Sequence, residues 1–200
     1  MQKIFWCKSC LAMSTRRRIQ FNESGHCGAC QWKLRKESLD WDSREKELNK
    51  LLDHHRSSNG EFDCIVPVSG GKDGSYVAHN LKNKYGMNPL CVTVTPPLQL
   101  ELGKKNIESF IESGYSLITI NVNPETMRFF NKKGLINIGF PYYGWLSAIQ
   151  TIPPSIAMKF GINLIFYGED GEVEYGGSNE TADKPIYKQT TLQQCLYSSC

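Results

Sequence analysis

The stretch FDCIVPVSGGKDGS, Phe62 to Ser75, decides the fold. Its first half is an apolar run carrying Ile65, Val66 and Val68, the composition of a buried strand. Its second half sets two adjacent glycines, a lysine and an aspartate directly behind that strand. Gly70 and Gly71 let the backbone come close to an anion, and the residues that follow open a helix whose free N–H groups point at it. The spelling excludes two common nucleotide loops. The pattern GxxxxGK followed by Ser or Thr needs a glycine five positions before its Gly-Lys pair, whereas Val66 and Asp73 hold the two diagnostic places. The dinucleotide pattern GxGxxG fails because Gly70 and Gly71 are adjacent.

Beyond this loop the pattern alternates. Strands are expected at 62–68, 88–96, 116–123 and 162–168, and helices at 74–86, 104–114, 124–134 and 144–161, the last kinked or broken at Pro153 and Pro154. Strands rich in Val and Ile between helices imply an α/β fold with a Rossmann-like parallel sheet covered on both faces. Ligands of such sheets sit outside the carboxyl ends of the strands, and the suggestive residues gather there. They are the loop Ser69, Gly70, Gly71, Lys72, Asp73, Gly74 and Ser75, the turn TVTPP, and the acidic loop GEDGEVEYGG. Backbone groups of Val94 and Thr95 in the turn are placed to read an adenine. Among Glu169, Asp170, Glu172 and Glu174, Glu169 is favoured as a Mg2+ ligand because it follows the strand end directly, and Mg2+ needs only one or two protein oxygens. Cys64 and Cys91 fall inside strands and read as small buried apolar residues rather than nucleophiles.

Upstream, Cys7, Cys10, Cys27 and Cys30 form two CxxC pairs separated by 16 residues, the spacing of a four-thiolate zinc site. The arm between the pairs reads as a short hairpin that returns the second to the first, and four thiolates close a structural site with no open position for catalysis. His26 is left out of the ligand set. The chain carries a net charge of +3, but residues 1–36 hold eight Lys or Arg against Glu23 alone, for +7, and the rest stands at −4. The basic front end suits nucleic acid, an acidic partner or a phosphorylated substrate, with Arg16, Arg17 and Arg18 at mid-arm either a solvated turn or a binding patch. The acidic body argues against a large nucleic-acid footprint. Three parts follow: a zinc ribbon at 1–36, a linking helix at 37–60 ending near SSNG, and a nucleotide-binding domain at 61–200. His54 and His55 sit where the helix dipole favours cations and need no catalytic role. No apolar run approaches the roughly 20 residues needed to span a bilayer, and no leader pattern opens the chain, so the cytoplasm is the expected compartment and no membrane partner is expected.

Ser69, Gly70, Gly71, Lys72 and Asp73 resemble the SGGxDS signature of the PP-loop ATP pyrophosphatases, with Gly74 in the place of the usual serine and Ser75 one position later. Joined to the cysteine ribbon, the FPYYGW stretch and YGEDGEVEYGG, the chain is similar to the N-acetyl sugar amidotransferases of bacterial surface-polysaccharide and flagellar-sugar biosynthesis. That resemblance implies an adenine nucleotide alpha hydrolase-like fold. It implies the cofactors ATP, Mg2+ and Zn2+, with Lys72, Asp73 and Glu169 as catalytic residues and Ser69 to Ser75 with Val94 and Thr95 on the nucleotide. It further implies an N-acetyl sugar, nucleotide-linked or a nonulosonic acid, that is adenylated on its acetamido oxygen and converted by ammonia to an acetamidino sugar. Glutaminase and cyclase-like subunits would deliver the ammonia. Family members are longer, so the resemblance also implies a shortened carboxyl end. Two alternatives stay open: a PP-loop enzyme that thiolates tRNA, although no cysteine lies between Cys91 and Cys195, and a non-catalytic zinc-ribbon adaptor that binds nucleotide.

Overall fold

The structure, a computed structural model, describes residues 4–16 and 19–169. Arg17, Arg18, Asp170, Glu172, Glu174, Cys195 and Cys200 lie outside the described residues. Two compact units emerge, one up to Arg44 and one from Glu45 to Glu169.

In the first unit the expected hairpin is two small loops, each closed by one antiparallel bridge, Trp6 to Met13 and Phe21 to Cys27. A helix absent from the sequence expectation follows at once: α1 spans Gly28–Glu37, with Cys27 as its N-cap residue and Arg35 and Lys36 in its last turn, where the helix dipole favours cations. The next helix, α2, spans Trp41–His55; from Glu45 on it belongs to the second unit, where Leu52 is fully buried in the core.

The second unit is α/β, as expected. Strands β1 (Cys64–Pro67), β2 (Pro89–Val94) and β3 (Ser116–Ile120) form a parallel sheet in the order β1-β2-β3. Every residue of β2 is buried, as a central parallel strand requires. Helices α3 (Lys72–His79), α4 (Glu101–Glu112), α5 (Pro124–Ile138) and α6 (Tyr143–Lys159) complete the unit. One core, with Val66, Cys91, Ala78, Leu81 and Phe110, joins α3 and α4 to the sheet; a second, with Ile65, Leu90, Val92 and Ala157, joins α6 to it. Cys64 and Cys91 are fully buried, and burial pushes both thiols up to about 12, so they are packing residues.

Four expectations need correcting. The segment 162–168 is not a strand: it meets β1 through one parallel bridge, Ile65 to Ile165, with Ile65 N–H on the Leu164 carbonyl and Phe166 N–H on the Ile65 carbonyl, both at 2.9 Å. Its entry is occupied, because Ile162 N–H donates back to the Ala157 carbonyl at 2.9 Å. Helix α3 starts at Lys72, two residues early, and passes into a π-helical turn over Asn80–Lys84. Gly134, read as the end of α5, lies inside it, and a side chain there would strike Tyr143 of α6; the glycine permits a close helix contact. Helix α6 runs unbroken through Pro153 and Pro154, with Pro153 buried against the sheet. The two prolines leave the carbonyls of Ile149 and Gln150 without their helical donors.

Because the segment 162–168 pairs with β1 on the side away from β2, the order of parallel elements reverses at β1. The loop behind β1 therefore lies at the switch point, the position where open α/β sheets bind ligands.

Candidate functional site

The cysteine cluster is the most complete arrangement. The sulfurs of Cys7, Cys10, Cys27 and Cys30 all lie within 4.8 Å of one another, with Cys7 to Cys30 at 3.9 Å and Cys10 to Cys27 at 3.4 Å. Zn–S bonds of about 2.3 Å in a tetrahedron put sulfurs about 3.8 Å apart, so the set fits zinc. A disulfide needs about 2.05 Å, and none of the four is bonded in this way. The surroundings also suit a cation. Cys7 Sγ accepts the N–H groups of Cys27 at 3.2 Å and Ser9 at 3.4 Å, and chiefly the Cys27 N–H lowers its pKa to about 6. Burial and the neighbouring sulfurs push Cys30 up to about 12 and raise Cys27. Four crowded thiols cannot all ionise without positive charge among them. These residues would hold a Zn2+ whose contribution is to cross-link the two loops. His26 stays outside the set, its Nδ1 2.7 Å from Ser9 Oγ.

The glycine loop is built differently. Gly70 has φ of +76°, the left-handed region that favours glycine, and its carbonyl accepts a hydrogen bond of 3.0 Å from Asn106 Nδ2 of α4. Gly71 caps α3 with an extended backbone and no side-chain hydrogen bond at the cap. The N–H groups of the first turn, which have no acceptor within a helix, face the carboxyl end of β1. Lys72 is 91% exposed with Nζ 3.8 Å from the carboxylate of Asp73, itself 53% exposed, so the cation is free to swing over an anion at the helix end. Ser69 Oγ accepts a long hydrogen bond of 3.4 Å from Gly71 N–H. The Ser75 hydroxyl donates to the Gly71 carbonyl at 2.8 Å, which commits its only proton to the loop itself.

Gly74, the departure from the SGGxDS pattern, has a physical cause. A Cβ at Gly74 would lie 2.6 Å from the Pro67 carbonyl oxygen. A Cβ at Gly168 would lie 2.7 Å from Gly74 N and 2.8 Å from the Asp73 carbonyl carbon. The end of the segment 162–168 therefore packs its backbone directly on the first turn of α3, and Glu169 follows within one residue of that contact. The backbone of Asp73 thus lies beside that of Gly168, and Glu169 is the next residue along the chain. Val94 pairs with Ile120 at the last ladder position, and Thr95 N–H is spent on the Ile120 carbonyl at 3.0 Å. That leaves the Thr95 carbonyl, but not its N–H, for any purine.

The sequence reading missed Tyr167, whose hydroxyl is buried one residue before Gly168 with no hydrogen-bond partner among the described residues. A tyrosine among the apolar residues of INLIFYG was the available signal. A groove of about 610 Å3 lies elsewhere, along the outer face of α3 between Lys72, Tyr76, His79 and the residues Phe110 and Tyr115; only Lys72 and Ser75 connect it to the loop. Among the described residues no helix is long and apolar enough to cross a membrane.

No protein-family model matches the sequence. An uncharacterized protein of Methanocaldococcus jannaschii is 33% identical over 89 residues, which is 44% of this chain and 32% of that protein. The chain thus spans about a third of the length of the curated relative it matches. A crystal structure described as a predicted subunit of tRNA methyltransferase, also from Methanocaldococcus jannaschii, aligns with a TM-score of 0.42 and 19% identity over 70% of this chain and 65% of its own. A likeness of that size says nothing about chemistry.

Proposed function

We propose that the second unit binds ATP at the Ser69–Ser75 loop and activates an N-acetyl sugar for amidation, as the resemblance to N-acetyl sugar amidotransferases implies. The observation that carries the nucleotide reading is the contact of bare backbones at Gly74 and Gly168. It fixes the first turn of α3, whose peptide N–H groups have no acceptor within the helix, at the switch point, with the exposed Lys72 and the Asp73 carboxylate beside it.

That placement suits the adenylation chemistry that the resemblance implies. The acetamido oxygen attacks the α phosphorus of ATP, the bond to the β phosphate breaks, and pyrophosphate departs. Ammonia then adds to the activated carbon, AMP leaves with the former acetamido oxygen, and a proton is lost to give the acetamidino group. A neutral amide oxygen is a weak nucleophile, so the enzyme's part is alignment and neutralisation of the charge that grows on pyrophosphate. Lys72 and the N–H groups after Gly71 supply that neutralisation. A Mg2+ held by Asp73 and Glu169 would add Lewis-acid stabilisation of the same charge. The proposal includes a glutaminase with a cyclase-like channel subunit as the ammonia source, a cytoplasmic location, and a role in lipopolysaccharide or other surface-polysaccharide biosynthesis.

The rival reading, sulfur transfer to tRNA, is weakened by Cys64 and Cys91. Both are fully buried and held as thiols, so the described part of the second unit contains no reactive cysteine. The test is incubation of the protein with ATP, Mg2+, ammonia and a set of free and nucleotide-linked N-acetyl sugars, with mass spectrometry for AMP, pyrophosphate and a product in which oxygen is replaced by NH. AMP release that depends on tRNA and a sulfur donor would overturn the reading in favour of the rival.

A further inference from the structure

The proposed chemistry leaves the basic first unit without a task beyond its metal, yet the surface of that unit is not relaxed. Among the described residues, every backbone with a positive φ belongs to a glycine except Leu11, at +61°. In that left-handed region a Cβ crowds the following carbonyl, so a leucine there is strained. Leu11 is also 80% exposed, and its side chain returns no packing to the fold. Strain that the fold does not use points to a use outside it.

The rest of the first cysteine loop has the same character. The bridge of Trp6 to Met13 is closed by its flanking hydrogen bonds, Cys7 N–H to the Ala12 carbonyl and Ser14 N–H to the Phe5 carbonyl, both at 2.8 Å. Trp6 and Met13 are therefore a non-hydrogen-bonded pair, whose side chains lie close together on one face. Both are exposed, whereas Cys7 beside them is buried with the cluster. Phe5 meets Phe21 edge-on at 4.8 Å and ties the two loops together, so it belongs to the framework. Trp6, Leu11 and Met13 thus stand outward from one loop. Cations flank them: Lys8 is exposed two residues beyond Trp6, and Arg16 is exposed one turn beyond Met13, whose carbonyl accepts its N–H at 3.1 Å.

We infer that this loop rests on an anionic lipid surface, with Leu11, Trp6 and Met13 entering the interface and the basic residues of the unit facing the headgroups. This goes beyond the proposed function and does not depend on it. The charge of the unit selects an anion. Residues 1–36 carry +7, and four thiolates with one Zn2+ together carry −2, which leaves +5. The side chains select the kind of anion. A single-stranded nucleic acid takes aromatic faces for its bases, and Trp6 is the one aromatic ring of the three; Leu11 and Met13 would find nothing to bury them on a sugar-phosphate backbone. A bilayer surface accommodates all of them, since aliphatic side chains enter the acyl boundary, tryptophan sits at headgroup level and Lys or Arg reaches the phosphates. The expectation of no membrane partner rested on the want of a spanning run and a leader, and lying on a surface needs neither. Metal on Cys7 and Cys10 would hold the loop in its docking shape beforehand, which lowers the cost of ordering it on contact.

Leu11→Gly and Leu11→Asn both remove the apolar side chain, and both residues tolerate a positive φ. The zinc-loaded full chain is mixed with vesicles of equal parts phosphatidylglycerol and phosphatidylcholine, or of phosphatidylcholine alone, and bound protein is measured by flotation over a range of lipid and salt concentrations. The wild type should bind the mixed vesicles, bind the neutral ones far less, and lose affinity as salt screens the headgroups. Each variant should bind the mixed vesicles about tenfold more weakly, the value of burying one leucine, while keeping stoichiometric zinc and melting no lower, because strain has been relieved. No binding to the mixed vesicles, or wild-type affinity in both variants, would overturn the inference. Tighter binding to a single-stranded RNA homopolymer that both variants retain would overturn it in favour of nucleic acid. A dimer that forms without lipid and is lost in both variants, seen by sedimentation, would overturn it in favour of a second copy of the chain.

Discussion

The cysteine cluster, which fits zinc, and the glycine loop, the proposed nucleotide site, are built on opposite plans. In the cluster the side chains do everything: four sulfurs are gathered within 4.8 Å, and the backbone serves to bring them together and to donate to Cys7. In the loop the side chains stand back. Lys72 points into solvent, Ser75 bonds to its own loop, and the positions closest to the helix end are glycines packed backbone on backbone. A side-chain site can be found by counting residue types and spacing. A main-chain site is recognised by what is missing, and its tolerance to substitution is set by space rather than by charge.

The largest effect should come from the cluster. Structural zinc contributes about 10–16 kcal/mol of apparent binding free energy in small ribbons, so Cys30→Ser should leave the protein without stoichiometric zinc and without the ordered amide spectrum of residues 4–16 and 19–37. Zinc analysis and NMR check this, and a variant that keeps both would break the contrast at its stronger end. The same thiols set the pH dependence. Cys27 and Cys30 have raised pKa values and stay protonated near neutrality in the metal-free state, so each gives up a proton on binding; log affinity should climb by at least about two per pH unit between pH 6.5 and 8, measured by competition with a chelator.

Next in size is Gly74→Ser, which writes the usual signature back into the loop. A Cβ 2.6 Å from the Pro67 carbonyl forces β1 and α3 apart, and overpacking of this kind costs about 1–3 kcal/mol. Urea unfolding should show that loss, with weaker ATP binding rather than the gain that a restored hydroxyl contact would bring. Lys72→Ala tests the other half of the loop. A side chain 91% exposed contributes little to folding, so the denaturation midpoint should hold, while ATP affinity falls roughly 10- to 100-fold, the value of a charge-assisted contact of about 1.5–3 kcal/mol. Unchanged affinity would move the nucleotide away from the loop.

The smallest effect is expected at Glu45, whose carboxylate lies 2.7 Å from Lys84 Nζ and accepts from Tyr85 OH at 3.2 Å. The Lys84 partner lowers the Glu45 pKa, so this pair stabilises the fold above the usual glutamate range and loses its contribution as pH falls through the lowered value. Both groups are solvated, so Glu45→Gln should shift the melting temperature only slightly at pH 7, and the shift should vanish in acid and shrink with salt.

The legibility of the sequence follows the same division. The cysteine spacing was readable because ligand chemistry demands it, and the alternation of Val- and Ile-rich runs with helices was readable because burial on both faces demands it. Helix α1 escaped because GACQWKLRKE has no apolar stripe, while its Cys30 belongs to the cysteine cluster. The π-helical turn at Asn80–Lys84 has no composition of its own. Gly134 and Gly168 looked like punctuation and are contacts, since a glycine that stops a helix and one that admits a neighbour are spelled alike. Thr95 was placed correctly at the end of β2, but the commitment of its N–H to Ile120 depends on the edge strand, which pattern alone does not align.

The meeting of Gly74 and Gly168 has a consequence for how this chain can vary. At Lys72 or Glu169 nineteen replacements can be built, and many will fold; at the two glycines every replacement adds an atom where another backbone already is. In a saturation scan scored for folded protein alone, the sharpest troughs beside the loop should fall on these two uncharged positions, and a scan scored for turnover should then darken the charged residues around an outline that the glycines have already drawn.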